Sequence, residues 1–193
     1  EVGWGLEFRR VLFRSKVIEY LDGLSEAAEL MGAVNCVNAT GGQLIGENTD
    51  GKGFVASLKE LVEPEGTRVV MLGAGGAARA IAVELGLGGV AEIVVVNRTE
   101  SRGQELVDLI NDRVGVAARL ESSAEQDFAV PQGTDIVINC TSIGLGDAEA
   151  RVPLEIESLE PSMVVADVVF NPPETKLLRD AAAAGCRVLD GLG

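Results

Sequence analysis

The chain has 193 residues, enough for one complete domain and part of a second. Its formal net charge of −14 argues against a nucleic-acid partner, because phosphate backbones are bound through excess Lys and Arg, but still admits a phosphorylated small molecule held by a few local cations. No apolar run reaches the roughly 18 residues that span a bilayer, and Cys36, Cys140 and Cys186 are too scattered for a disulfide framework or a zinc site, so a reducing cytoplasm is the expected compartment.

In chain order, residues 1–15 stand apart. EVGWGLEFRRVLFRS holds the single Trp and lacks both helical and strand periodicity, and its Leu-Phe-Arg-Ser ending is what the end of a common short-read sequencing adapter would encode. The segment is expected to be foreign to the native protein. Val17, Leu21, Leu24, Ala27 and Leu30 have helical spacing and predict one helix. Gly32–Asn38 reads as a strand, Ala39–Gln43 as a hairpin turn and Leu44–Gly46 as the returning strand. Asp50 is placed to cap a helix running to about Val62, with Phe54, Leu58 and Leu61 on one face, and Pro64–Gly66 is a linker.

An alternation follows. Strands are predicted at Arg68–Leu72, Glu92–Val96, Asp135–Asn139, Met163–Val168 and Arg187–Leu189, with helices at Ala77–Leu87, Ser101–Asn111 and Glu174–Ala184. Apolar strands alternating with amphipathic helices indicate an α/β fold, a Rossmann-like parallel sheet with helices on both faces. The chain stops at Asp190-Gly-Leu-Gly directly after a strand, which reads as truncation.

Gly73-x-Gly75-x-x-Ala78 lies between a strand and a helix, where a dinucleotide fingerprint belongs. Gly73 permits the tight turn, Gly75 lets the backbone approach a pyrophosphate, and Ala78 allows close helix–strand packing. Ala74, Gly76 and Ala77 complete the turn, and free N–H groups at the helix start face the phosphates. At the next strand tip an NAD site would carry a carboxylate for the ribose hydroxyls. This chain has Asn97-Arg98-Thr99-Glu100-Ser101-Arg102 instead. Guanidinium forks suit a phosphate dianion, so NADP is the expected cofactor. Thr141 and Ser142 follow a strand and belong at the carboxyl end of the sheet, beside a cofactor. Asn35 and Asp50 would each read as structural alone; together they put an amide and a carboxylate at a cleft edge, suited to a polyhydroxylated small molecule.

These motifs, in this order, resemble shikimate dehydrogenases and their quinate/shikimate relatives: GAVN (32–35), GENTDG (46–51), GAGGAARA (73–80), NRTESR (97–102), NCTSIGL (139–145), DVVFNPPETKLL (167–178) and DGLG (190–193). The similarity runs from Lys16 to the end. It implies reversible reduction of 3-dehydroshikimate to shikimate with NADPH. By resemblance, Asn35 and Asp50 bind substrate hydroxyls, and Asp50 works with a lysine in the proton transfer. Gly73 to Ala77 hold the pyrophosphate; Asn97, Arg98, Thr99 and Arg102 hold the 2′-phosphate; Val168 and Gly191 lie near the nicotinamide, which Glu26 also approaches. The implied organisation is the C-terminal remnant of a substrate domain (16–63) followed by an NADP domain (64–193).

Three departures stand out. The family's lysine ends an Asn-Val-Thr-x-Pro-x-Lys motif about 21 residues before the Asn of GAVN; that count lands on Arg14, the motif is absent, and Lys16 is two positions too late. Phe170 stands where the family places a substrate-binding tyrosine, and the Met-Leu-Val-x-Gln segment is absent. The chain by itself is therefore expected to be inactive, with quinate or another polyol as an alternative substrate and a non-catalytic NADP-binding module as the other alternative.

Overall fold

The computed structural model describes residues 15–123 and 126–192. Among them, six parallel strands form one sheet and three short strands a second. The small sheet contains β1 (Gly23–Leu24), β2 (Cys36–Thr40) and β3 (Gln43–Glu47) in the order β1-β3-β2, with β2 and β3 as an antiparallel hairpin. Gly41 and Gly42 turn that hairpin with φ of 62° and 82°, a region that side-chain-bearing residues rarely enter.

The segment before the hairpin corrects the single predicted helix. Val17–Tyr20 is a 3-10 turn, β1 intervenes, and α1 covers only Glu26–Met31. Ser25 decides the break: its Oγ accepts from the Ala28 N–H as an N-cap, while Gly23 has already paired with Ile45 of β3. Gly32, predicted to start a strand, instead closes α1 in the left-handed conformation, φ 65°, and β2 starts later, at Cys36. A second correction concerns Asp50. Thr49 is the N-cap of α2 (Asp50–Lys59), and Asp50 is its first residue.

The large sheet consists of β4 (Arg68–Leu72), β5 (Glu92–Asn97), β6 (Ala117–Ser122), β7 (Ile136–Asn139), β8 (Val164–Asp167) and β9 (Arg187–Leu189), ordered β6-β5-β4-β7-β8-β9. This is the doubly wound arrangement, with the direction of winding reversing between β4 and β7. Each central strand alternates between two cores. Val69 and Met71 face α3 (Gly76–Leu87) and α4 (Glu100–Leu109), while Val70 and Leu72 face α5 (Lys176–Ala183) with Leu177, Leu178 and Ala181. Burial on both faces explains the unbroken apolar runs.

The small sheet's helices share the first of these cores. Ala27 and Met31 of α1 and Val55 and Leu58 of α2 pack with Ile81 and Leu85 of α3. At Gly51 the approach is so close that a Cβ would meet the Ala80 carbonyl oxygen at 2.4 Å. Two arginines complete the join by donating to the C-terminal carbonyls of α1: Arg79 to Met31 (3.1 Å), and Arg113 to Leu30 (3.4 Å) and Glu29 (3.3 Å). The Glu29 carbonyl also accepts from the Gly32 N–H that closes the helix (3.3 Å), and all three carbonyls lie at its negative dipole end.

Candidate functional site

Two depressions meet at the glycine turn. The larger, about 530 Å³, opens over the carboxyl ends of β4, β5 and β7, the position a doubly wound sheet reserves for its ligand. Gly73 forms its floor with φ 101°, and a Cβ there would meet Thr141 Cγ2 at 3.0 Å and the Cys140 carbonyl at 3.2 Å. Backbone bonds from Gly73 N–H to Val96 (2.8 Å) and from Cys140 N–H to Leu72 (2.8 Å) lock the three strand ends together. Burial, and then the nearby Asp167 charge, push the Cys140 thiol far above its ordinary range, so it stays a protonated packing residue.

Gly75 and Gly76 behave differently. Neither has a positive φ, and a Cβ on either would meet nothing within 4 Å. The protein's own packing does not require glycine at these positions, and the absence of side chains leaves the backbone open to the groove. Gly75 is the N-cap of α3 and offers no side chain to cap it, so the first N–H groups of the helix face the groove.

One wall carries Asn97, Arg98, Thr99 and Arg102. Asn97 Nδ2 donates to the Thr99 carbonyl at 2.7 Å and shapes the turn into α4. Thr99 caps that helix without a side-chain bond, again leaving N–H donors open. The opposite wall holds Thr141 and Ser142. The Thr141 hydroxyl donates to Asn139 Oδ1 (2.7 Å) and accepts from Ile143 N–H (3.1 Å), which fixes the loop after β7. Three arginines and no carboxylate line this groove among the described residues, in a chain of net charge −14. Ser123, Arg151 and Pro153 also line it and were missed in the sequence. Arg151 arrives through an isolated bridge between Phe128 and Leu154, a pairing that no local pattern announces.

The second cleft, about 270 Å³, lies between α2 and the large sheet and gathers Asp50, Phe54, Ala77, Val168 and Gly191. Asn35 Nδ2 donates to Asp50 Oδ1 at 2.8 Å, and Asn35 Oδ1 accepts from Thr49 N–H at 2.9 Å. The amide thus clamps the start of α2 and aims the carboxylate. Buried Asn48 extends the clamp, donating to the Ala33 carbonyl (3.2 Å) and accepting from Asp50 N–H (3.2 Å). On the far side, a Cβ at Gly191 would meet the Val169 carbonyl oxygen at 2.5 Å, so the Asp190-Gly191 turn lies directly against Val168–Val169.

At the end of β8 is a buried carboxylate. Asp167 Oδ1 accepts from Asn139 Nδ2 (2.9 Å) and Val169 N–H (3.0 Å), and Oδ2 from the Thr175 hydroxyl (2.7 Å). Burial raises its pKa, and these three hydrogen bonds only partly oppose that. Two predicted residues stay outside the constellation: Phe170 is 59% exposed and, like Glu26 on the first turn of α1, lines neither cavity. Arg14, the residue at the lysine position, and Gly193 lie outside the described residues.

The family model for shikimate / quinate 5-dehydrogenase matches residues 56–145. A crystal structure of shikimate 5-dehydrogenase from Listeria monocytogenes in complex with shikimate and NAD is 33% identical, and the match covers 100% of this chain and 74% of that one with a TM-score of 0.83. The chain belongs to the shikimate/quinate dehydrogenase family. Within this family, the shikimate dehydrogenase (NADP(+)) of Alkaliphilus metalliredigens is 40% identical over 184 residues, which make up 93% of this chain and 64% of that protein. The ligand-free 5-ketofructose reductase of Gluconobacter sp. strain CHM43 is 54% identical with a TM-score of 0.89, the match covering 93% of this chain and 65% of that one. The chain therefore spans a little under two thirds of the length of these two relatives.

Proposed function

We propose that the chain is the cofactor-binding part of an NADP-dependent oxidoreductase, with residues 64–193 holding the dinucleotide and residues 16–63 forming one edge of the substrate cleft. The observation that carries this is the groove whose lining holds three arginines and no carboxylate beside an open glycine turn. In this reading Gly73–Ala77 and the start of α3 hold the pyrophosphate, and Arg98 and Arg102 hold the 2′-phosphate. Charge-assisted hydrogen bonds of this kind contribute about 1.5–3 kcal/mol each, enough to decide NADP over NAD.

NADPH, when bound, supplies hydride to a carbonyl carbon of the substrate. The chain's own part is to orient that carbonyl and to manage the proton for its oxygen. Asp50 stands at the cleft with its carboxylate held by Asn35, the arrangement required of a general acid/base. In the family pattern it works with a lysine, whose counted position holds Arg14 here. The 193-residue chain is accordingly proposed to bind cofactor without turning substrate over.

The substrate pair proposed is 3-dehydroshikimate and shikimate, in keeping with the name of the Alkaliphilus relative. A second reading, reduction of a diketo sugar, is favoured by the 54% identity to the Gluconobacter 5-ketofructose reductase and by Phe170 in place of a hydroxyl-bearing tyrosine. Steady-state assays of the full-length gene product with NADPH decide between them. Turnover of 3-dehydroshikimate at about 1–10³ s⁻¹ is expected; a higher kcat/KM for 5-ketofructose would install the second reading, and no NADPH oxidation with either compound would defeat both.

A further inference from the structure

Arg151 is the one groove arginine whose charge is already balanced among the described residues. Its guanidinium pairs with Asp127, and the short bridge of Phe128 to Leu154 holds the two segments together through Phe128 N–H to Pro153 (3.0 Å) and Glu155 N–H to Phe128 (3.0 Å). Arg98 and Arg102 carry no ion pair among the described residues. The three therefore suit different ligand groups. Two unpaired cations attract a phosphate dianion, whereas a phosphate beside Arg151 would face the Asp127 carboxylate as well. A planar guanidinium held in place by a carboxylate suits instead the face of a neutral aromatic ring.

The placement agrees. The glycine turn is the floor of the groove, Arg98 and Arg102 stand beyond the tip of β5, and Arg151 with Pro153 stands in the segment after β7, on the far side of β4. Ser123, just past β6, also lines the groove. A dinucleotide whose pyrophosphate lies on the turn and whose ribose phosphate lies on Arg98 and Arg102 has its adenine between these two walls. We propose that Arg151, positioned by Asp127, stacks on the adenine ring and forms the outer wall of the adenine slot. The inference rests on the NADP reading above.

Adenine is common to NADP and NAD, so loss of the stack weakens both alike. The test is calorimetric titration of the 193-residue chain and its variants with NADP⁺ and with NAD⁺. Arg151→Ala is expected to raise both dissociation constants by the same factor, about 3- to 30-fold. Arg151→Lys keeps the charge but loses the plane and is expected to weaken both nearly as much. Asp127→Asn frees the guanidinium and is expected to give a smaller loss, again equal for both. An undiminished affinity in Arg151→Ala overturns the inference while leaving the NADP reading intact. A loss confined to NADP⁺ and rescued by Arg151→Lys also overturns it, because that pattern belongs to a phosphate contact. If the wild-type chain binds neither dinucleotide, the NADP reading itself fails and the inference falls with it.

Discussion

Glycines at the site divide into those the fold needs and those whose missing side chain the fold does not require. Gly73 sits at φ 101° with Thr141 and Cys140 crowding its missing Cβ, so Gly73→Ala is expected to destabilise the protein by about 1–3 kcal/mol in urea unfolding. Gly75 has open space and an unstrained backbone, so Gly75→Ala is expected to shift stability by less than about 1 kcal/mol. Its NADP⁺ affinity should nevertheless fall by more than about tenfold, since a methyl group would stand where the pyrophosphate approaches. Equal affinities for wild type and Gly75→Ala would show that nothing lies on this turn. Asp167 makes a prediction in pH. Its folded pKa is raised by burial, so between the ordinary carboxylate value and that raised value the folded state binds more protons than the unfolded state. This group's contribution therefore falls as pH rises through that window, and ionised Asp167 costs stability above it. Asp167→Asn should remove that slope from a plot of unfolding free energy against pH. It should also destabilise the protein near neutrality by about 1–3 kcal/mol, because an amide cannot accept from Asn139, Val169 and Thr175 together.

Among the elements, the α2–α3 contact couples the two halves of the site, and Gly51 is its closest point. A Cβ there would press on the Ala80 carbonyl, so Gly51→Ala should cost about 1–3 kcal/mol and displace Asp50, its chain neighbour; denaturation midpoints measure the first effect. β4, β5, β7 and β8 were legible because burial on both faces leaves apolar runs such as Ile93–Val96 and Ile136–Ile138. β6 was not. Ala-Ala-Arg-Leu-Glu-Ser is an edge strand with no fully buried residue, its exposed Arg119 and half-buried Glu121 joined in an ion pair, and it has little β-branched character. The helix predicted across residues 17–30 failed because its apolar spacing mimics a helical face, while Gly23 and the Ser25 cap carried the opposing local signal. Arg98 and Arg102 could be placed because they adjoin a strand tip, whereas Arg151 and Asp127 meet only through a bridge between distant segments. Asp50 was found as a residue but misjudged as a cap; its carboxylate accepts from Asn35 instead.

For the molecule as a whole, an acidic chain concentrates cations in one groove over a parallel sheet and holds a clamped carboxylate in the neighbouring cleft. The order of the large sheet places both at the carboxyl ends of its strands, and no helix among the described residues is long and apolar enough to cross a membrane. The central claim, an NADP site whose selectivity comes from Arg98 and Arg102, is tested most directly by the ratio of NAD⁺ to NADP⁺ dissociation constants in the wild-type chain and in Arg98→Ala/Arg102→Ala. The predicted result is NADP⁺ bound at least about tenfold tighter by the wild type, with that preference lost in the double variant through weaker NADP⁺ binding and nearly unchanged NAD⁺ binding. Equal binding of the two cofactors by the wild type, or an undiminished preference in the double variant, would contradict it.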